Sequence, residues 1–207
     1  LAKQFFVSTH GKTCYRGRKV FSCIMGIIRK DFNFKKIENF LTQEEVNFLS
    51  SYCEIKHRNN SSNFDLFQSN NGDTKFYGDT AMETIMLQKK YLMEKETGLE
   101  LLPTYAFWRM YTKNAVLEKH TDRPSCEISV TVHIDSDKTP WPIYIDGNPV
   151  ETKPGDAVIY LGCELEHWRD SFKGDWHAQT FLHYVDKNGP NKDYYMDKRH
   201  YWGRDKK

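Results

Sequence analysis

Three residues of this chain have the types and spacing of a metal site. His120-Thr121-Asp122 sets an imidazole and a carboxylate two residues apart, and a further donor, His167, follows 45 residues after Asp122. On an extended strand residues i and i+2 project to the same side, so the first two groups converge on one point. Two neutral nitrogens with one anionic oxygen form the 2-His-1-carboxylate set. It holds non-haem Fe(II) on one face and leaves the remaining positions open to a cosubstrate and O2. A zinc enzyme more often uses three histidines, or two with a glutamate. The plainer reading is a strand-end His120 hydrogen-bonded to Asp122 with no metal at all.

These residues need strands to position them, and the sequence supplies period two in several places. Val116-Leu117 begin the strand that delivers His120. In 105–111, Tyr105, Phe107, Arg109 and Tyr111 share one face, with Ala106, Trp108 and Met110 on the other; Lys113-Asn114 is a turn. In 127–135, Ile128, Val130, Val132 and Ile134 form an apolar face, and Glu127, Ser129, Thr131, His133 and Asp135 a polar one. A sandwich would turn that polar face to water; a barrel with a polar site inside would turn Ser129, Thr131 and His133 inward. Periodicity leaves both open. Trp141 to Ile145, the Asp146-Gly147-Asn148 turn and Val150 read as a hairpin. Pro154-Gly155-Asp156 is a turn into Ala157-Val158-Ile159-Tyr160-Leu161, and 177–185 forms the last strand.

Helical signals come earlier. Thr42 and Glu45 make a capping box, Leu41 and Val46 a hydrophobic staple, and Val46, Leu49 and Cys53 an apolar stripe. A second helix spans about 79–96, with Met82, Ile85, Met86 and Leu92 on its buried side and Gly98 ending it. The predicted fold class is α+β, mainly β: a jelly-roll or cupin-like barrel buttressed by N-terminal helices.

The 207 residues suit one domain. We divide them into a basic extension (1–30), helical support (31–103), barrel core (104–186) and a polar, then aromatic and basic tail (187–207), which packs back on the barrel or borders a cleft. The extension has seven basic residues and no acid; it reads as a solvated arm ending in an edge strand, or as an arm for an anionic partner. Residues 59–73 read as a loop of the kind that forms lids or binding segments. A net charge of +2 gives no argument for nucleic acid or a membrane surface. The longest apolar run, 21–28, is too short to span a bilayer. Five scattered cysteines without Cys-x-x-Cys argue against a disulfide framework and point to a reducing compartment, the cytoplasm.

In this context the chain resembles a known family. Arg109-Met110-Tyr111, His120-Thr121-Asp122, Pro154-Gly155-Asp156-Ala157-Val158-Ile159, the distal His167 and Phe181-Leu182-His183-Tyr184-Val185-Asp186 are similar to the Fe(II)/2-oxoglutarate-dependent oxygenases, particularly their prolyl 4-hydroxylase-like branch. The resemblance spans about 31–186 and implies the double-stranded β-helix fold. It also implies a dioxygenase that hydroxylates an unactivated C–H bond, of a prolyl residue or an amino-acid-like substrate, with succinate and CO2 as coproducts. Ascorbate would serve as reductant. His120, Asp122 and His167 would bind iron.

The family's Lys or Arg for the remote carboxylate of 2-oxoglutarate stands nine or ten residues past the distal histidine, where this chain has His177. The resemblance implies Tyr111, His133 and His177 as the cosubstrate contacts, with Thr131 beside them where its face turns inward, and Arg123 and Arg169 as the runner-up cations. His177 and His183 are alternative distal ligands, since Lys187 and Lys192 follow them at the family's distance. Both lysines lie beyond the last apolar strand, which favours His167. The competing functions are a jelly-roll module that binds a ligand without redox chemistry, and an iron oxygenase independent of 2-oxoglutarate.

Overall fold

The polar face of the central strand turns inward. β5 (Ile128–Ser136) directs Ile128, Val130, Val132 and Ile134 into one apolar core, while Ser129, Thr131 and His133 on the opposite face are buried too. A strand covered on both faces needs a layer on each side. The structure, a computed structural model describing residues 33–59 and 73–203, has helices on one side and a second sheet on the other. The basic extension and nearly all of the 59–73 loop lie outside the described residues.

β5 belongs to a six-stranded antiparallel sheet. Its order is β1 (Phe34–Ile37), β8 (Ala157–Leu161), β5, β10 (Trp176–Asp186), β3 (Leu101–Thr112) and β2 (Thr74–Tyr77). Facing it is a four-stranded antiparallel sheet in the order β4 (Leu117–His120), β9 (His167–Arg169), β6 (Ile143–Ile145) and β7 (Asn148–Val150). Ile143 and Ile145 of one sheet pack with Val158 and Tyr160 of the other. The architecture is the expected mainly-β jelly roll.

Two helices cover the outer face of the large sheet. α1 (Gln43–Arg58) begins in the expected capping box: Thr42 N–H donates to Glu45 Oε2 (2.8 Å), and Glu45 N–H donates to Thr42 Oγ1 (3.2 Å). α2 (Thr80–Thr97) is capped by Asp79 and stopped by Gly98, whose φ of 71° is a left-handed conformation that glycine adopts freely. Val46, Leu49 and Cys53 from α1 and Met82, Ile85, Met86 and Met93 from α2 join Ala106, Trp108, Met110, Val130, Ile159 and Leu182 in one core. Each large aliphatic side chain so buried contributes about 1.5–3 kcal/mol. Met93 takes the place expected for Leu92, which is one step off the stripe and only half-buried.

Other boundaries also differ from the expectations. The segment assigned to helical support supplies β1 and β2, the two edge strands; at four residues each, FKKI and TKFY are too short to display a period. β3 starts at Leu101, with Pro103 inside it opposite Tyr184, where the pairing register shifts. The hairpin turn is the two-residue Asp146-Gly147, with φ of 49° and 79°, so Asn148 already belongs to β7. Among the described residues no helix is long and apolar enough to cross a membrane.

The tail packs back on the barrel. Arg199 and Glu83 of α2 form an ion pair, both almost wholly buried, and the Tyr77 hydroxyl donates to the buried Asp197. Arg199→Ala would strand a buried carboxylate. A loss of about 3–5 kcal/mol is expected, read as a lower urea midpoint for global unfolding.

Candidate functional site

Strands β4 and β9 run side by side with His120 opposite His167. Asp122, just past the end of β4, is held by a bond from its N–H to the Gly162 carbonyl (2.8 Å). Asp122 Oδ1 then lies 3.7 Å from His120 Nε2 and 3.6 Å from His167 Nε2. The three donor atoms fall within 4.8 Å of one another. Each imidazole is fixed from behind: Nδ1–H of His120 donates to the Glu118 carbonyl (2.6 Å) and that of His167 to the Leu165 carbonyl (2.9 Å). Both Nε2 lone pairs are left to face Asp122, the tautomer a metal ligand requires.

The carboxylate is prepared in the same way. Ser129 Oγ sits 3.0 Å from Asp122 Oδ2 and 2.9 Å from His183 Nδ1; with His183 donating to the hydroxyl, the hydroxyl donates to Asp122. Burial pushes the Asp122 carboxyl up, but the surrounding imidazoles of His167, His183 and His120 outweigh it and hold it below the usual range. Burial and the neighbouring His167 lower His120. Neutral nitrogens and an ionised oxygen are the protonation states for a divalent cation, so the donor set fits Fe(II).

The structure separates the alternative ligands. His183 lies behind Asp122 across Ser129, and Asp122, Cys126 and His183 form a second cluster within 4.8 Å. Burial raises the Cys126 thiol well above its ordinary range, so it stays protonated and is a poor ligand. His177 stands apart, its ring centroid 4.2 Å from that of His133. Lys187 is exposed, paired with Glu100, and Lys192 is exposed in the tail.

The expected cosubstrate contacts gather inside the barrel. His177 Nε2–H donates to Gln179 Oε1 (2.7 Å), and Gln179 Nε2 donates to Thr131 Oγ1 (2.6 Å). His133 Nδ1–H donates to the Thr152 carbonyl (3.0 Å). Tyr111 is buried with its ring edge-on to Trp141 at 4.8 Å. Burial and the charge of Arg169 push His133 down to about 4; burial, His133 and Arg169 together push His177 well below the ordinary range. Both rings are therefore neutral. The two runner-up arginines part company. Arg123 points to the tail, its two terminal nitrogens each 2.8 Å from an oxygen of Asp197, whereas Arg169 is buried in the barrel interior.

Three contributors were not anticipated. Gln179 bridges His177 and Thr131; Ser129 braces the carboxylate. Gly162 is the third: a Cβ there would meet Cys126 O at 2.3 Å, Asp122 Oδ2 at 2.5 Å and Ser129 Oγ at 2.7 Å. Period two along β5 and β10 was signal enough for Ser129 and Gln179. Nothing local marks Gly162, whose constraint comes from residues distant in sequence.

Gly162→Ala should push Asp122 off its position and lower metal content below that of the wild type, measured by metal analysis after Fe(II) loading. Acid should also destabilise the fold. The unfolded chain protonates His133 near pH 6.5, but the folded chain does so only near 4. Stability is complete above pH 6.5 and falls as pH drops towards 4, by roughly 3 kcal/mol from His133 alone. Urea midpoints across that interval check this, and His133→Asn should flatten the decline.

No family model matches the sequence, and no curated protein matches it. Solved structures do. A prolyl-4-hydroxylase from Pseudomonas putida shares 14% identity, with 80% of this chain and 98% of that one covered at a TM-score of 0.60. A viral collagen prolyl hydroxylase from Paramecium bursaria Chlorella virus-1, in its 2-oxoglutarate complex, shares 11% over 73% of this chain and 95% of its own, at 0.56. HygX from Streptomyces hygroscopicus, with nickel and 2-oxoglutarate bound, shares 12% over 83% and 87%, at 0.58. A jelly roll carrying a His-x-Asp…His cluster, matched over most of its length by these proteins, has the fold of the 2-oxoglutarate/Fe(II) oxygenases, prolyl 4-hydroxylases among them.

Proposed function

We infer that this protein is a non-haem Fe(II)- and 2-oxoglutarate-dependent oxygenase that hydroxylates an unactivated C–H bond. The observation that carries this reading is the convergence of His120, Asp122 and His167 within 4.8 Å, on a fold shared with proteins solved in complex with 2-oxoglutarate. His120 Nε2, His167 Nε2 and an Asp122 oxygen would hold the iron. Bound iron with 2-oxoglutarate and O2 supplies the oxidising power that replaces C–H by C–OH, with succinate and CO2 as coproducts. An aspartate as third ligand, rather than a small residue, supports hydroxylation over halogenation.

The residues around the cluster do the positioning. The Glu118 and Leu165 carbonyls fix both imidazole tautomers, and Ser129 orients the carboxylate. Tyr160, fully buried with its ring 4.7 Å from that of His167, closes one side of the site to water. The likeness to prolyl hydroxylases supports a prolyl residue of a peptide, or an amino-acid-like small molecule, as the substrate. The 59–73 segment and the aromatic-basic tail are where we place substrate selection.

With Fe(II), 2-oxoglutarate, ascorbate and a panel of prolyl peptides and amino acids, the protein should release succinate and add 16 mass units, one oxygen atom, to the accepted substrate. His120→Ala and Asp122→Ala should lose both bound iron and succinate release. A wild-type protein that forms no succinate, together with variants that keep their metal, would sink this reading.

A further inference from the structure

Five arginines lie among the described residues. Four hold a carboxylate: Arg58 with Glu54, Arg109 with Asp73, Arg123 with Asp197 and Arg199 with Glu83. The fifth, Arg169, is fully buried, and no carboxylate pairs with it among those residues. Nη1 donates to the Trp141 carbonyl and the guanidinium carbon lies 4.8 Å from the centre of the Trp141 ring, while Nε and Nη2 have no hydrogen-bond partner. Two unsatisfied N–H groups on a buried cation cost several kcal/mol, more than one carbonyl and one aromatic face return.

The unsatisfied atoms are a matched pair. Nε and Nη2 lie on one edge of the planar guanidinium, and that edge takes both oxygens of one carboxylate in parallel bonds. Arg109 uses the same two nitrogens on Asp73. Placement fits as well. His167 and Arg169 are residues i and i+2 of β9, both buried on its inner face with Trp168 turned outward between them. The two backbone positions are thus about 7 Å apart along the strand.

The two histidines beside it do not supply this charge. The N–H groups of His133 and His177 are committed to Thr152 O and Gln179 Oε1. His133 Nε2 and His177 Nδ1, buried without partners, are then lone pairs rather than donors. A guanidinium keeps its proton even when buried, so Arg169 stays cationic at neutral pH.

We propose that Arg169 binds the remote carboxylate of 2-oxoglutarate through Nε and Nη2. The cosubstrate's cation then stands on β9, two residues past His167, and not on β10, where His177 occupies the expected position. One guanidinium with one carboxylate leaves the pocket neutral and satisfies both idle donors. The proposal rests on the oxygenase reading above, and its test separates the two.

Anaerobic Fe(II)-loaded protein is titrated with 2-oxoglutarate and with 2-oxobutyrate, which keeps the chelating keto acid but lacks the remote carboxylate. Binding is followed by the visible charge-transfer band. Arg169→Gln should raise the Kd for 2-oxoglutarate roughly 100-fold or more, with 2-oxobutyrate affinity and iron content as in wild type. Arg169→Lys, which keeps the charge without the fork, should fall between the two and serves if the glutamine variant does not fold. Equal weakening of both keto acids would mark a merely structural arginine and overturn the proposal. So would an unchanged Kd in Arg169→Gln, or a selective loss in His177→Gln alone. A wild type that binds iron but gives no band overturns the oxygenase reading and this proposal with it, whereas a normal wild-type band with an unaffected Arg169→Gln overturns only this proposal.

Discussion

Burial of the large sheet on both faces is the constraint on which the other features depend. Side chains alternate along a strand, so a doubly covered sheet has two independent interiors. The outer one, between sheet and helices, is filled by Val130, Val132, Ile159, Leu182, Trp108 and the helical stripes, and it supplies the cohesion of the fold. The inner one, between the sheets, can therefore hold polar groups without the fold depending on their burial. Its hydrogen bonds are largely matched: His177 to Gln179 to Thr131, His133 to Thr152, His183 to Ser129 to Asp122. The unmatched atoms of this interior, on Arg169, His133 and His177, cluster around Trp141. An unmatched buried donor destabilises the protein unless a ligand satisfies it.

The candidate metal cluster uses the smaller sheet for geometry and the larger one for support. Pairing of β4 with β9 sets His120 against His167, and no loop has to be ordered to bring them together. Asp122 leaves the end of β4 and is caught by the Gly162 carbonyl and the Ser129 hydroxyl, both from the opposite layer. Donors mounted on strands and fixed from behind are held more tightly than donors on loops. The tail joins this frame beside the cluster, since Arg123, the residue after Asp122, is clamped by Asp197.

Charge along β9 is directional. One carboxylate stands at the cluster and one guanidinium lies two residues along β9, with neutral imidazoles around the guanidinium. In a region of low dielectric such isolated charges act strongly on any bound ligand. A chelating keto acid with a second carboxylate would complement this pattern, with the proposed metal at one end and Arg169 at the other.

Most elements were legible in the sequence because their signals are local. The capping box at Thr42, the glycine stop at Gly98, the alternation of 105–111 and 127–135 and the spacing of the His-x-Asp pair depend on neighbours a few residues apart. Short edge strands such as FKKI and TKFY were not legible, because pairing rather than pattern makes them strands. Tertiary structure alone decided which face of β5 is the interior, since both layers that cover it come from other parts of the chain. It also decided that Arg123 is spent on Asp197 while Arg169 keeps two free donors. Sequence placed both arginines beside metal ligands, but a side chain's partner is set by what packs across from it, and that is not written in the residues next to it.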